Sequence, residues 1–222
     1  MNSYIIGVVG AGGMGTGVPR RLTAAGHTVL VTDSKPGTAV TAVAEASAGQ
    51  PGQARAASAE DAASAGIVVL ALQYPGTVDF STQHRAALAG KIIIDIANPL
   101  DATYTGLTLE STTSAAEELA RAIPGSTVVK TFITVPAPTL LAAEIDGAAL
   151  DTFVASDDDA AKSTVIGVLQ GSGLRALDAG RLANSRLLER LTAFGIELGQ
   201  RYELGFDFGF KYLPARAITP SS

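Results

Sequence analysis

The run YIIGVVG at 4–10 passes straight into GAGGMG at 10–15, and that junction restricts the fold more than any other part of the chain. A short apolar stretch followed by a glycine cluster reads as a buried strand and a tight turn. GMGTGVPRRLTAAG at 13–26 then reads as a helix closed by Gly26. The turn matches G-x-G-x-x-G. In that pattern Gly10 permits the sharp bend, Gly12 lets backbone approach a pyrophosphate, and Gly15 lets the helix pack closely on the strand. The N–H groups of the first helical turn and the helix dipole offer an anion site. Pro19 is out of place, because it cannot return an N–H to the carbonyl of Gly15. Either the helix starts late, with Pro19 near its first turn, or it bends there.

The rhythm continues downstream. TVLVTD (28–33), IVVLALQ (67–73) and KIIIDIA (91–97) read as strands, and 39–49 and 59–66 as helices. Continuous apolar strands separated by helices predict an α/β chain with a doubly wound, mainly parallel sheet of the Rossmann type. After residue 100 the pattern changes. A helix is expected at 113–125 and a strand at 127–135, stopped by Pro136 and Pro138. DTFVASDDD (151–159) reads as a strand followed by capping carboxylates, ahead of helices at 161–173 and 183–202. Gly195 weakens the last of these. The expected division is a dinucleotide-binding domain at 1–155 and a small C-terminal α/β lobe at 156–222 that closes the cleft. The apolar stripe over 187–198 serves either the monomer's core or a dimer interface.

Composition removes several classes. The net charge is −5 and no basic run is present, which argues against nucleic acid as a partner. Without cysteine there is no disulfide, thiolate catalysis or thiolate metal site. His27 and His84 stand apart, and Asp157, Asp158 and Asp159 read as a helix cap and solvated charge, so no metal is expected. No apolar run approaches the roughly 20 residues of a membrane helix. The apolar start lacks the basic region of a signal peptide, which leads to the expectation of a cytoplasmic protein without a membrane partner.

Asp33 lies 21 residues beyond Gly12, where an acid accepts hydrogen bonds from the adenosine ribose and favours NAD. Ser34 and Lys35, in the same loop, suit the 2′-phosphate of NADP. Taken on these residues alone, the balance leans slightly to NAD. Tyr74 follows Gln73 at a strand end, where it could stack, donate a proton or merely sit at the rim. Thr134 is either a cleft residue or a β-branched core residue, and Asn98 either a cleft amide or a turn residue before Pro99. Lys130 reads as a surface strand lysine, His27 as structural, and Arg186 with Glu189 as an ion pair on one helix face.

Four stretches carry a resemblance: IGVVGAGGMGTGVPRRLTAAGH, ANPLD at 97–101, TSAAEELARAIPGSTVVKTFITVPA at 113–137, and 157–192 with LDAG followed by NSRLLE. Nearly end to end, the chain resembles the deazaflavin-dependent NADP oxidoreductases, which pass hydride between NADP(H) and coenzyme factor 420. The reductase domains of membrane metalloreductases share that superfamily fold. The resemblance implies that Ala11, Gly12, Gly13 and Met14 hold the pyrophosphate and that residues 33–35 surround the ribose. It implies that Leu72, Gln73, Ala97 and Asn98 line the nicotinamide side. The deazaflavin would then stack under a loop of Ile133, Thr134, Val135, Pro136 and Ala137, and the protein would be a homodimer. Hydride transfer between stacked rings needs orientation more than an acid or base, which suits a chain without an evident catalytic dyad.

The chain departs from the family at three places. Asp33-Ser34-Lys35 stands where Ser-Arg is common, Ile133 where archaeal members carry histidine, and Gln73 where proline is usual. Weighing the resemblance, NADP is expected over NAD. The alternatives are reduction of an imine, ketone or small hydroxyacid, and a non-enzymatic dinucleotide-binding redox sensor. The former enzymes need a long helical second domain, for which the stretch after position 155 is short.

Overall fold

The computed structural model describes residues 2–35, 37–104 and 106–216. The first half runs β1 (Ile5–Val9), α1 (Gly13–Ala24), β2 (Thr28–Thr32), α2 (Thr38–Ser47), β3 (Gln53–Ala56), α3 (Ala59–Ser64), β4 (Ile67–Leu70), α4 (Tyr74–Gln83), α5 (Arg85–Leu88) and β5 (Ile92–Asp95). Then come α6 (Ala115–Ala122), β6 (Thr127–Lys130), α7 (Ala137–Ala142), the β7–β8 hairpin (Glu144–Ile145, Ala148–Ala149), β9 (Asp151–Val154), α8 (Asp159–Val168), β10 (Arg175–Asp178) and α9 (Ser185–Arg201).

Six strands form one parallel sheet in the order β3-β2-β1-β4-β5-β6, with the chain reversing direction of travel between β1 and β4. Strand alternation splits the side chains between two buried faces. Ile6, Val8, Val29, Val31, Val69 and Ile94 join one core cluster. Val9, Leu30, Val68, Leu70, Ile93 and Val128 join the other. Each fully buried aliphatic side chain contributes about 1.5–3 kcal/mol, so a sheet covered on both faces is the favourable arrangement for such runs.

β9 and β10 make a second, two-stranded parallel sheet, linked to the first by a bridge between Lys130 and Ala155. Residue 155 thus follows β9 directly. The core is continuous across it, since Val154, Val165 and Val168 share a cluster with Val8 and Val31. Among the described residues no helix is long and apolar enough to cross a membrane.

Several expectations change. The helix after the glycine turn begins at Gly13 and runs through a buried Pro19, so it does not start late. The strand expected at 127–135 ends at Lys130, because Phe132 takes a left-handed conformation with φ 62° and breaks the extended run. β3, α4, α5, α7, the β7–β8 hairpin and β10 are additions. β3 has the sequence QARA and is a strand because it pairs with β2 along the sheet edge. α9 runs unbroken through Gly195, where a Cβ would meet Phe208 Cε2 at 2.5 Å, so the glycine admits the C-terminal segment. His27 is structural: Nδ1 accepts from the Tyr4 N–H at 3.3 Å, so Nε2 donates to the Val168 carbonyl at 2.8 Å.

Candidate functional site

The glycine turn has the shape its spacing requires. Gly10 has φ +100°, and a Cβ there would meet the Ala71 carbonyl oxygen at 2.3 Å. A Cβ on Gly15 would lie 2.1 Å from the Gly10 carbonyl oxygen, so α1 can sit this close to β1 only with glycine. At Gly12 a Cβ would meet nothing within 4 Å, because that backbone faces open space. Gly12 caps α1 without a side-chain hydrogen bond, and the first turn holds no acid. The N–H groups of Gly13 and Met14 therefore keep their attraction for an anion.

Asp33 is tied into this turn. Its Oδ2 accepts the Ala11 N–H at 2.8 Å and its Oδ1 accepts the Lys35 N–H at 2.8 Å. The carboxylate is thus held against the turn and commits the Ala11 amide, while Ser34 and Lys35 stay exposed.

A cleft of about 800 Å³ opens over the C-terminal ends of the strands, where ligands bind in open α/β sheets. Gly12, Gly13 and Met14 form one end. Leu72, Gln73, Tyr74, Ala97 and Asn98 continue the wall past β4 and β5. Ile133, Val135, Pro136 and Ala137 face them, and Thr192, Ile196 and Phe206 close the far side. Gly10, Ala11, Gly15 and residues 33–35 lie outside this cavity, behind or beside the turn. Thr134 is turned away: it is fully buried, and its hydroxyl donates to the Asp151 carbonyl at 3.3 Å. It is a core residue, because the turn at Phe132 rotates 131–135 out of the strand alternation.

Both amide atoms of the Asn98 side chain are buried without a hydrogen-bond partner. Such orphaned groups cost about 1–3 kcal/mol each unless something pairs with them. The Tyr74 phenol is pushed up first by burial, then by the Glu118, Glu189 and Asp95 carboxylates, with Arg121 opposing, so it remains protonated. Uncapped helix, open glycine and unpaired amide together fit a dinucleotide lying from Gly12 to Asn98.

One constellation went unforeseen. Lys130 is fully buried, and its ammonium donates to Asp95 Oδ2 at 2.8 Å, Glu189 Oε1 at 2.9 Å and the Ala97 carbonyl at 2.5 Å. Asp95 Oδ1 accepts the Ala97 N–H at 3.0 Å. Both Glu189 oxygens accept the Ala115 N–H, at 3.0 and 3.2 Å. Lys130 is therefore not a surface lysine, and Glu189 does not pair with Arg186. Arg186 reaches Glu117 instead, with Nε 2.8 Å from Oε2. The available signal was an acid or a lysine ending otherwise apolar runs, IIID and TVVK. The three carboxylates at 157–159 cap and brace: Asp158 accepts the Ala161 N–H, Asp157 the Leu182 N–H, and Asp159 pairs with Lys162.

A doubly wound sheet with this turn and a cleft over its strand ends defines a Rossmann-type dinucleotide-binding protein. The comparisons give the family. Residues 5–99 match the family described as NADP oxidoreductase, coenzyme F420-dependent. The F420-dependent NADP reductase of Methanocaldococcus jannaschii is 33% identical over 151 residues, covering 65% of this chain and 67% of that protein. The chain belongs to this family of NADP-dependent oxidoreductases. Rat metalloreductase STEAP3 is 29% identical over 187 residues, 84% of this chain but only 36% of the metalloreductase, so the chain spans about a third of that relative. A solved structure from Arthrobacter sp. FB24, provisionally described as an F420-dependent NADP-reductase, superposes with a TM-score of 0.80 at 28% identity, covering 95% of this chain and 99% of that one.

Proposed function

We propose that the chain catalyses hydride exchange between NADPH and a deazaflavin coenzyme, with a proton taken from solvent. The observation that carries this is the single cleft running from the uncapped α1 to the unpaired Asn98 amide and on to an apolar far wall. When bound, NADPH supplies the hydride from its nicotinamide ring and the deazaflavin accepts it. Gly13 and Met14 present N–H groups to the pyrophosphate, and Asn98 offers both a donor and an acceptor to a carboxamide. Ile133, Ile196 and Phe206 exclude water and present apolar surface to a flat acceptor ring.

NADP is the preferred dinucleotide in this reading. Two backbone amides already occupy the Asp33 carboxylate, while the Ser34 hydroxyl and the Lys35 ammonium are free to meet a 2′-phosphate. A second copy of the chain is the proposed partner, seated on the exposed Leu187 and Phe194 of α9.

Bleaching of the oxidised coenzyme's visible band with NADPH and then NADH tests both parts. Faster bleaching by NADPH, lost in Lys35→Ala, is expected. A lower Kd for NADH in the unaltered chain refutes the NADP preference. Dinucleotide binding with no bleaching from either donor refutes the deazaflavin and directs the search to imines and carbonyls.

A further inference from the structure

The Asp95–Lys130–Glu189 cluster holds one cation against two carboxylates, all within a single fully buried site. Burying ions is costly, and apolar residues of similar volume generally stabilise a core at least as well. The cluster's position gives the reason for its presence. It does not lie mid-sheet but at the C-terminal ends of β5 and β6, one peptide behind the cleft wall. Ala97 lines the cleft and gives its N–H to Asp95 while accepting from Lys130. Glu189 sits on α9 one turn before Thr192, which lines the opposite wall and donates to the Ile133 carbonyl at 3.0 Å. No lysine, arginine or histidine lies among the described residues lining the cleft, so no cation in the wall offsets the two carboxylates.

We propose that this cluster is a fixed counter-charge for the nicotinamide, holding the cationic oxidised ring more tightly than the neutral reduced one. The inference rests on the reading that the Ala97–Asn98 wall receives the nicotinamide. The Tyr74 phenol in the same cleft is raised first by burial and Glu118, with Arg121 opposing, and Glu189 and Asp95 add smaller contributions of the same sign, so the cluster's charge reaches into the cleft. Loss of hydride gives the ring a positive charge, so a buried net negative charge favours the oxidised state and, with it, hydride donation. Glu189 and Asp95 are thus positioning residues, acting through space rather than by contact.

The test is a binding ratio and needs no acceptor. The Kd values of NADP⁺ and NADPH are measured by titration calorimetry on the purified chain near pH 8. Burial pushes the Glu189 carboxyl above its ordinary range, Lys130 opposes that shift and Asp95 adds to it, so the titrations are run well above the ordinary carboxylate range. Glu189→Gln keeps the shape and removes the charge. It should raise Kd for NADP⁺ relative to NADPH by about fivefold, or roughly 1 kcal/mol. Glu189→Asp retains the charge and should restore most of the original ratio. Where Glu189→Gln does not fold, Asp95→Asn removes the other carboxylate and must move the ratio in the same direction. A ratio unchanged within twofold in folded variants overturns the proposal, since a merely structural role would weaken both nucleotides alike. If the unaltered chain binds neither nucleotide, the cofactor reading falls with it. Failure of deazaflavin bleaching leaves the ratio measurable and bears only on the acceptor.

Discussion

Replacing Lys130 with methionine removes the cation and keeps most of the side-chain volume. In the native chain the ammonium uses all three of its donors, on Asp95, Glu189 and Ala97. Without it, two carboxylates with at most 1% side-chain exposure keep only backbone N–H partners and have no cation between them. Breaking a buried ion pair from one side costs about 3–5 kcal/mol. For a chain of this size each kilocalorie lowers Tm by roughly 2–4 °C, so the expected fall is about 6–20 °C near pH 8. Burial pulls the Lys130 ammonium down, but Asp95 and Glu189 outweigh it and leave it raised. Its stabilisation is therefore complete below the ordinary lysine range and is lost only as pH rises through the raised value. Glu189, also raised, would rise further without Lys130. A carboxyl raised in the folded state favours folding at low pH and loses that contribution as pH rises through its folded value. The deficit of the variant should accordingly shrink between pH 8 and pH 5.5. Calorimetric melts of both proteins at the two values decide it. A deficit below about 1 kcal/mol near pH 8, or one of equal size at both values, would refute the reasoning.

Gly15→Ala places a Cβ 2.1 Å from the Gly10 carbonyl oxygen, backbone that cannot swing aside, so NADPH binding should weaken by more than about tenfold with Tm lowered; unaltered titration would count against the close packing of α1. Asn98→Ala removes two orphaned polar atoms, so Tm should hold or rise while the NADPH Kd increases about tenfold; a fall in Tm with unchanged Kd would make Asn98 a structural turn residue. Burial pushes the Asp151 carboxyl up, but Arg175, the Tyr212 N–H and Lys211 outweigh it and hold it below its ordinary value. The grip of Asp151 on 211–212 is therefore present above the ordinary aspartate range and lost as pH falls through the lowered value. Asp151→Asn should reproduce that loss at neutral pH as faster tryptic cleavage after Lys211, and an unchanged rate would exclude the clamp.

How much was legible depends on the range of the interactions involved. Residues 4–33 declared strand, glycine turn, helix and strand because each signal is local: apolar run, backbone freedom, terminal acid. The same runs pointed to a two-faced parallel sheet, while the wall residues Leu72, Ala97 and Asn98 came from the family resemblance. Resemblance over the C-terminal stretch supplied the family, which the turn alone could not. Tertiary structure decided what depends on partners distant in sequence. QARA became β3 only by pairing with β2, and Gly195 was accommodated by Phe208. Thr134 left the cleft because Phe132 turned the chain. Above all, Lys130 and Glu189 each looked like ordinary residues at exposed positions, 59 residues apart. Their charges are tolerable in the core only because folding brings them together with Asp95, and no local pattern encodes a partner supplied from another element.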